Sequence, residues 1–235
     1  MLLRTCSAID FQDYVVDIDA CISICAYKPE AHHINILPSV IKAMKPGAYF
    51  LCVSQPRSDV EWAWQLENQG LQIKDQITII KQPQAWTIIM AMKAYEQNYA
   101  NNAIVYGVAG LNIDKMRIGD QVVGWNGLGQ TGQTWNKNTC GFRKQQAARP
   151  VQGRFPGNLI LDTTALMFLE KEGIVPCGSK NYFSVLPCNA YNLYCYCLDL
   201  IAQPESIILN PFCDDQDFIE ACANKQQQAI IISNV

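Results

Sequence analysis

Ile34-Asn-Ile-Leu-Pro-Ser-Val-Ile-Lys-Ala-Met-Lys-Pro-Gly-Ala-Tyr-Phe-Leu-Cys-Val-Ser54 changes its apolar period halfway along. Ile34, Leu37, Ile41 and Met44 recur at helical spacing, and Lys45-Pro46-Gly47 predicts the stop of that helix. Ala48 to Ser54 is a short, almost unbroken apolar run, which predicts a strand buried on both faces. Helix, stop and buried strand make up the repeating unit of a parallel sheet.

The same rhythm extends on either side. Val15 to Ile24 predicts a strand, Ser58 or Asp59 caps a helix running to Asn68, and Gly70 ends it. Leu71 to Ile80 and Trp86 to Met92 predict two more strands. Near the end, Thr163 or Thr164 starts a helix that stops before Gly173, and Tyr191 to Ala202 and Asp214 to Lys225 predict two others. Ser206 to Leu209 and Ala229 to Ser233 read as strands. The expectation is an α/β, Rossmann-like fold around a largely parallel sheet, one domain over 1–235, with a ligand crevice at the strands' carboxyl ends.

Composition narrows the classes of function. The 235 residues are 49% apolar and 17% charged, with a net charge of −3, which excludes a wholesale polyanion binder but not a local basic patch. Apolar runs such as Ile77 to Ile80 are far too short to cross a membrane, and no basic-then-apolar leader pattern opens the chain. The eleven cysteines include no CxxC pair, and the only histidines are the adjacent His32 and His33, so neither a disulfide framework nor a zinc ribbon is expected. Reduced, buried thiols and a cytoplasmic setting are the expectation, with no metal and no membrane.

The middle breaks the rhythm. Residues 95–156 are rich in Gly, Asn and Gln without a sustained period and predict a long basic insertion. From Lys115 to Arg154 there are seven basic residues against one acidic, Asp120. Lys137, Arg143, Lys144, Arg149 and Arg154 are the candidate nucleic-acid contacts, and Trp125 and Trp135 could stack bases or anchor the segment.

Three stretches, taken together, carry a resemblance: Gly107-Val-Ala-Gly-Leu-Asn-Ile-Asp114, Gly153-Arg-Phe-Pro-Gly-Asn-Leu-Ile-Leu-Asp162 and Ile207-Ile-Leu-Asn-Pro-Phe212. With Met44-Lys-Pro-Gly47 they resemble the phage and prophage-type site-specific DNA methyltransferases that modify N6 of adenine or N4 of cytosine. The likeness runs from about Asp17 to the end of the chain. It implies a methyltransferase sheet with permuted motif order, the catalytic motif preceding the cofactor motif, and target recognition in the basic region.

Those enzymes flip a base out of the duplex and stack it on an aromatic ring. In the tetrad of Asp-Pro-Pro-Tyr type, a side-chain acceptor and a backbone carbonyl then orient the amine. The resemblance places that tetrad on Ile24-Cys25-Ala26-Tyr27, where Tyr27 keeps the ring but Ile24 offers no acceptor. Loss of one preorganised hydrogen-bonding group typically costs about 10²–10³ in rate. Ser23 lies one position out of register. The cofactor motif falls on Asn210-Pro211-Phe212, followed by Cys213-Asp-Asp-Gln-Asp217 without the glycines that let a backbone approach S-adenosylmethionine. Ser233 falls where the family has the acidic residue that holds the ribose.

Plainer readings stand beside these. Tyr27 is expected to be packed or half-exposed, His32-His33 to be a surface pair at a helix start, and Asp214, Asp215 and Asp217 to serve a helix N-terminus. Cys195 and Cys197 point to opposite sides of their helix. The expected function is a catalytically inactive, methyltransferase-like protein kept for binding DNA or a protein partner, such as an active methyltransferase or a viral assembly. On that reading no cofactor is needed. The alternative is an active S-adenosylmethionine-dependent amine methyltransferase with an atypical site.

Overall fold

The computed structural model describes residues 3–7, 11, 17–81, 83–123, 151–175, 182–212 and 215–233. In chain order these form β1 (Leu3–Ser7), β2 (Ile18–Cys25), α1 (Ala31–Ala43), β3 (Met44–Ser54), α2 (Ser58–Asn68), β4 (Leu71–Lys81) and β5 (Gln84–Lys93). Then come α3 (Tyr99–Tyr106), β6 (Ile118–Val123), β7 (Val151–Arg154), β8 (Leu159–Asp162), α4 (Thr163–Lys171) and β9 (Ser184–Leu186). The last are α5 (Ala190–Ile201), β10 (Ile207–Asn210), α6 (Gln216–Asn224) and β11 (Gln228–Ser233).

Among the described residues, nine strands form one sheet in the order β1-β11-β10-β2-β3-β5-β4-β8-β9, and β6 pairs with β7 separately. Only β5 runs against its neighbours, β3 and β4. The central strands β2 and β3 are buried along almost their whole length, as their unbroken apolar runs require. From β10 the chain crosses through α6 to β11 on one side; from β2 it crosses through α1 to β3 on the other. Right-handed crossovers in opposite directions must lie on opposite faces of the sheet. They do: Ile36, Leu37, Val40, Trp62 and Leu66 of α1 and α2 pack with Phe50 and Cys52 in one core. Leu193, Tyr194 and Cys197 of α5 and Phe218 and Cys222 of α6 pack with Leu51 and Val53 in the other.

Three expectations need correction. Lys45-Pro46-Gly47 is not a turn after the helix. It lies inside β3, where two steps along β2 (Ile18 to Ala20) face five along β3 (Met44 to Tyr49). The three extra residues are accommodated as a bulge. Gly47 is required there: its φ is +79°, and a Cβ would lie 2.5 Å from Asn102 Nδ2. Second, α2 is not capped by Ser58 or Asp59. Arg57, at φ 76°, holds the cap position without a side-chain bond, and Asp59 instead accepts from Thr87 Oγ1 (2.9 Å). Third, the region read as an unpatterned insertion contains α3, capped by Asn98, together with β6 and β7.

Candidate functional site

β2 and β10 are parallel neighbours, with Ile208 beside Ala20 and Leu209 beside Cys21. Because the chain leaves them in opposite directions, their carboxyl ends flank the topological switch point, where a crevice opens in doubly wound sheets. Cys25, Ala26 and Tyr27 follow one end, and Pro211 and Phe212 follow the other. The fold thus brings together the two stretches on which the resemblance placed the tetrad and the cofactor motif.

The tetrad positions differ in their surroundings. Ile24 packs against the core beneath α5 and α6, and Cys25 is buried in the core beneath α1 and α2. Tyr27 is neither packed nor half-exposed: it is 78% exposed. Its backbone is held nonetheless, since the Trp62 indole N–H donates to the Tyr27 carbonyl (2.8 Å). From Ala20 to Cys25 the pairing with β3 is regular, so no bulge moves Ser23 into the place of Ile24.

Ser23 bonds elsewhere. Its hydroxyl donates to Asn210 Oδ1 (2.8 Å), and both residues are fully buried. Asn210 Nδ2 donates to the Tyr194 hydroxyl (3.3 Å), which donates to Asp215 Oδ2 (3.0 Å). The Phe212 backbone N–H also reaches Asn210 Oδ1 (3.4 Å). Ser23, Asn210, Tyr194 and Asp215 therefore satisfy one another in a buried chain, as polar groups removed from water must. Asp215 is also the N-cap of α6, accepting from the Asp217 N–H, so helix capping accounts for its place. Asp214 lies outside the described residues.

Phe212 closes the other side. It is 9% exposed, with its ring centroid 4.9 Å from Trp62, 5.1 Å from His33 and 5.9 Å from Phe50. His32 and His33 do open α1, but His33 is more than a surface residue. Burial among these rings, together with neighbouring His32, holds its imidazole down at about 4. Sequence reasoning missed His33 and Trp62 as members of the site. The one available signal was Trp62 and Leu66, four apart, as a buried helical face.

Of the basic candidates, Arg154 lies on β7 with its guanidinium 4.6 Å from the Tyr182 ring centre. Lys137, Arg143, Lys144, Arg149, Trp125 and Trp135 lie outside the described residues, as does the Ser233 side chain. Cys197 is fully buried and Cys195 partly so. Among the described residues, no three His, Cys, Asp or Glu side chains are placed to share a metal ion, and no helix is long and apolar enough to cross a membrane.

The two stretches most specific to the resemblance have structural roles. Asn112 clasps the end of α5: its Nδ2 donates to the carbonyls of Asp199 (3.0 Å) and Ala202 (2.8 Å), and its N–H donates to that of Leu200 (2.8 Å). A helix end leaves such carbonyls without partners. Asp162 caps α4 by accepting from the Thr164 N–H (2.9 Å), and its other oxygen accepts from the Cys188 N–H (2.8 Å). Burial pushes the Asp162 carboxyl up, but these bonds outweigh it and leave it below the ordinary range. A Cβ at Gly153 would lie 2.8 Å from the carbonyl oxygens of Ile118 and Gly119.

No protein-family model and no curated protein matches the chain. Solved structures do. The crystal structure of M1.HpyAVI covers 98% of this chain and 91% of its own, with a TM-score of 0.56 and 13% identity. TTHA0409, a DNA modification methylase of Thermus thermophilus solved in complex with S-adenosyl-L-methionine, covers 100% and 88% with a TM-score of 0.52 and 10% identity. The cytosine-N4-specific PvuII DNA methyltransferase covers 98% and 80% with a TM-score of 0.51 and 8% identity. At such identities the likeness establishes architecture, and on it the chain has the fold of the DNA methyltransferases.

Proposed function

We propose that this protein is a methyltransferase-fold DNA-binding component that does not transfer methyl groups. The observation that carries the reading is the pairing of Ser23 with Asn210 beside an acceptor-free Ile24. At the position that would orient an amine stands an alkyl chain packed into the core. The nearest hydroxyl is buried and already donates to the cofactor-motif side chain.

The residues at the switch point do not suit S-adenosylmethionine, which the fold implies. The stretch after β10 has no glycine to let the backbone approach a ligand, Asn210 has both ends of its amide engaged, and the Phe212 ring fills space among Trp62 and His33. Support for DNA as the partner comes from the neighbours, which are DNA methyltransferases, and from the basic stretch Lys137 to Arg154.

Calorimetry with S-adenosylmethionine and a gel shift with duplex DNA test the two halves separately. The expected result is no heat from the methyl donor and a DNA complex that weakens steeply with salt, because phosphate contacts release counterions. Micromolar donor binding overturns the first half, and no shift at low salt overturns the second.

A second reading is an active amine methyltransferase with an atypical site. The observation favouring it is the exposure of Tyr27, whose ring is presented to solvent rather than packed away. Transfer of a labelled methyl group to DNA decides for it.

A further inference from the structure

Glu30, His32 and His33 close a hydrogen-bonded ring at the entrance of α1, and geometry fixes where its protons sit. The Glu30 backbone N–H donates to His33 Nδ1 (3.1 Å), so that nitrogen is bare. A neutral His33 then carries its proton on Nε2, which faces His32 Nε2 at 3.1 Å. His32 must accept there and carry its own proton on Nδ1, 3.6 Å from Glu30 Oε2. His33 thus returns a bond to the N-cap backbone from the position where a capping box places Glu or Gln.

The same imidazole reaches across the switch point. It meets Phe212 after β10 and Trp62 on α2, and Trp62 in turn holds the Tyr27 carbonyl. One neutral ring therefore joins the α1 entrance, α2 and the end of β10. Among the described residues, the charged or titratable groups facing it are His32 and Glu30 of its own segment. From α2 and β10 only the uncharged Trp62 and Phe212 face it.

A second proton on His33 would set a donor at Nδ1 against the Glu30 N–H and place a charge among aromatic rings. Both consequences oppose the closed arrangement. We propose that this ring is an acid-released latch: protonation of His33 frees residues 26–30 from Trp62 and opens the switch-point crevice, with Phe212 exposed. The half-buried imbalance is screened by solvent, so the closed-to-open ratio falls at least tenfold, not by the full drop that the neutral ring's low titration would give.

The chain has only two histidines, so an NMR titration of the full-length protein resolves both imidazoles. The Trp62 indole N–H signal, identified by its loss in Trp62→Phe, reports the bond to Tyr27. The expected result is one imidazole titrating near pH 4, the Trp62 signal moving with the same midpoint, and far-UV circular dichroism unchanged across that step. In His33→Gln, which keeps a cap acceptor, the Trp62 signal stays flat over the same range. If that variant does not fold, His32→Asn leaves a single imidazole that must still share its midpoint with Trp62. A Trp62 signal that ignores His33, one that moves equally in His33→Gln, or loss of helical signal in the same step overturns the latch.

Discussion

Two regions of this molecule carry stretches of the same resemblance and use them differently. Around Asn112 and Asp162 the characteristic side chains bond to backbone groups at helix ends, which otherwise lack partners. At the switch point the positions associated with chemistry are occupied by Ile24, Ser23 and Asn210, which pack or bond to one another. The first region is needed by any chain that folds this way. The second is needed only by one that performs a reaction. A sequence likeness concentrated in the first kind of residue therefore reports architecture, and activity has to be argued from the second.

The sharpest way to break this contrast is Asn112→Ala. It strips donors from the end of α5 and should cost about 2–4 kcal/mol in urea unfolding, since each buried group left unsatisfied costs about 1–3 kcal/mol. A loss under about 1 kcal/mol would show that water replaces the clasp. Asp162→Ala comes next, at about 2–3 kcal/mol at pH 7, combining a lost cap with an orphaned Cys188 N–H. The Asp162 carboxyl lies below its ordinary range when folded, so its contribution is full above about pH 4 and is lost as the pH falls through the folded value. Urea midpoints of Asp162→Asn should accordingly lose that part of the acid dependence.

Asn210→Asp tests the switch point itself. It substitutes a carboxylate for the amide that bonds Tyr194 and should cost about 1–2 kcal/mol while restoring neither donor binding nor methyl transfer. Recovery of activity would mean that a single atom separates this chain from an enzyme. A smaller effect comes from His33. Its imidazole takes up a proton more readily when unfolded, near pH 6.5, than when folded, near 4. Stability is therefore full above about pH 6.5, declines as the pH falls toward 4 and levels off below that, and His33→Gln should flatten this slope. Least is expected of Tyr27→Ala for folding, within about 0.5 kcal/mol for a solvent-facing ring. The same change should weaken DNA binding by about 1–3 kcal/mol if the ring stacks on a base, measured by gel shift.

Much of the fold could be read in advance because its central strands are unusual in composition. Ala48 to Ser54 and Ile88 to Met92 are apolar on both faces, which only a sheet covered by helices on two sides requires. What escaped were elements with little to bury. β1 is an edge strand whose first residues are exposed, and β9 spans three residues. α3 was hidden by its composition of Asn and β-branched residues, although Asn98 before it and Gly107 after it were legible caps. At the switch point the two motif stretches could be aligned, but the aromatic cluster could not. His33, Phe50, Trp62 and Phe212 come from four separate segments, and no spacing along the chain links them.

The partnership of β10 with β2 has a consequence for how the chain comes into being. Ser23 and Asn210 are 187 positions apart, whereas β4 and β5 close on each other as a hairpin. During synthesis from the N-terminus, β2 gains β3 early but waits for nearly the whole polypeptide before its other edge is covered. Until then an apolar strand stands open to intruding chains, the circumstance in which nascent sheets aggregate. The middle of the finished sheet is thus the last seam to be sewn, and slow docking of the C-terminal third should govern how fast and how cleanly this protein matures.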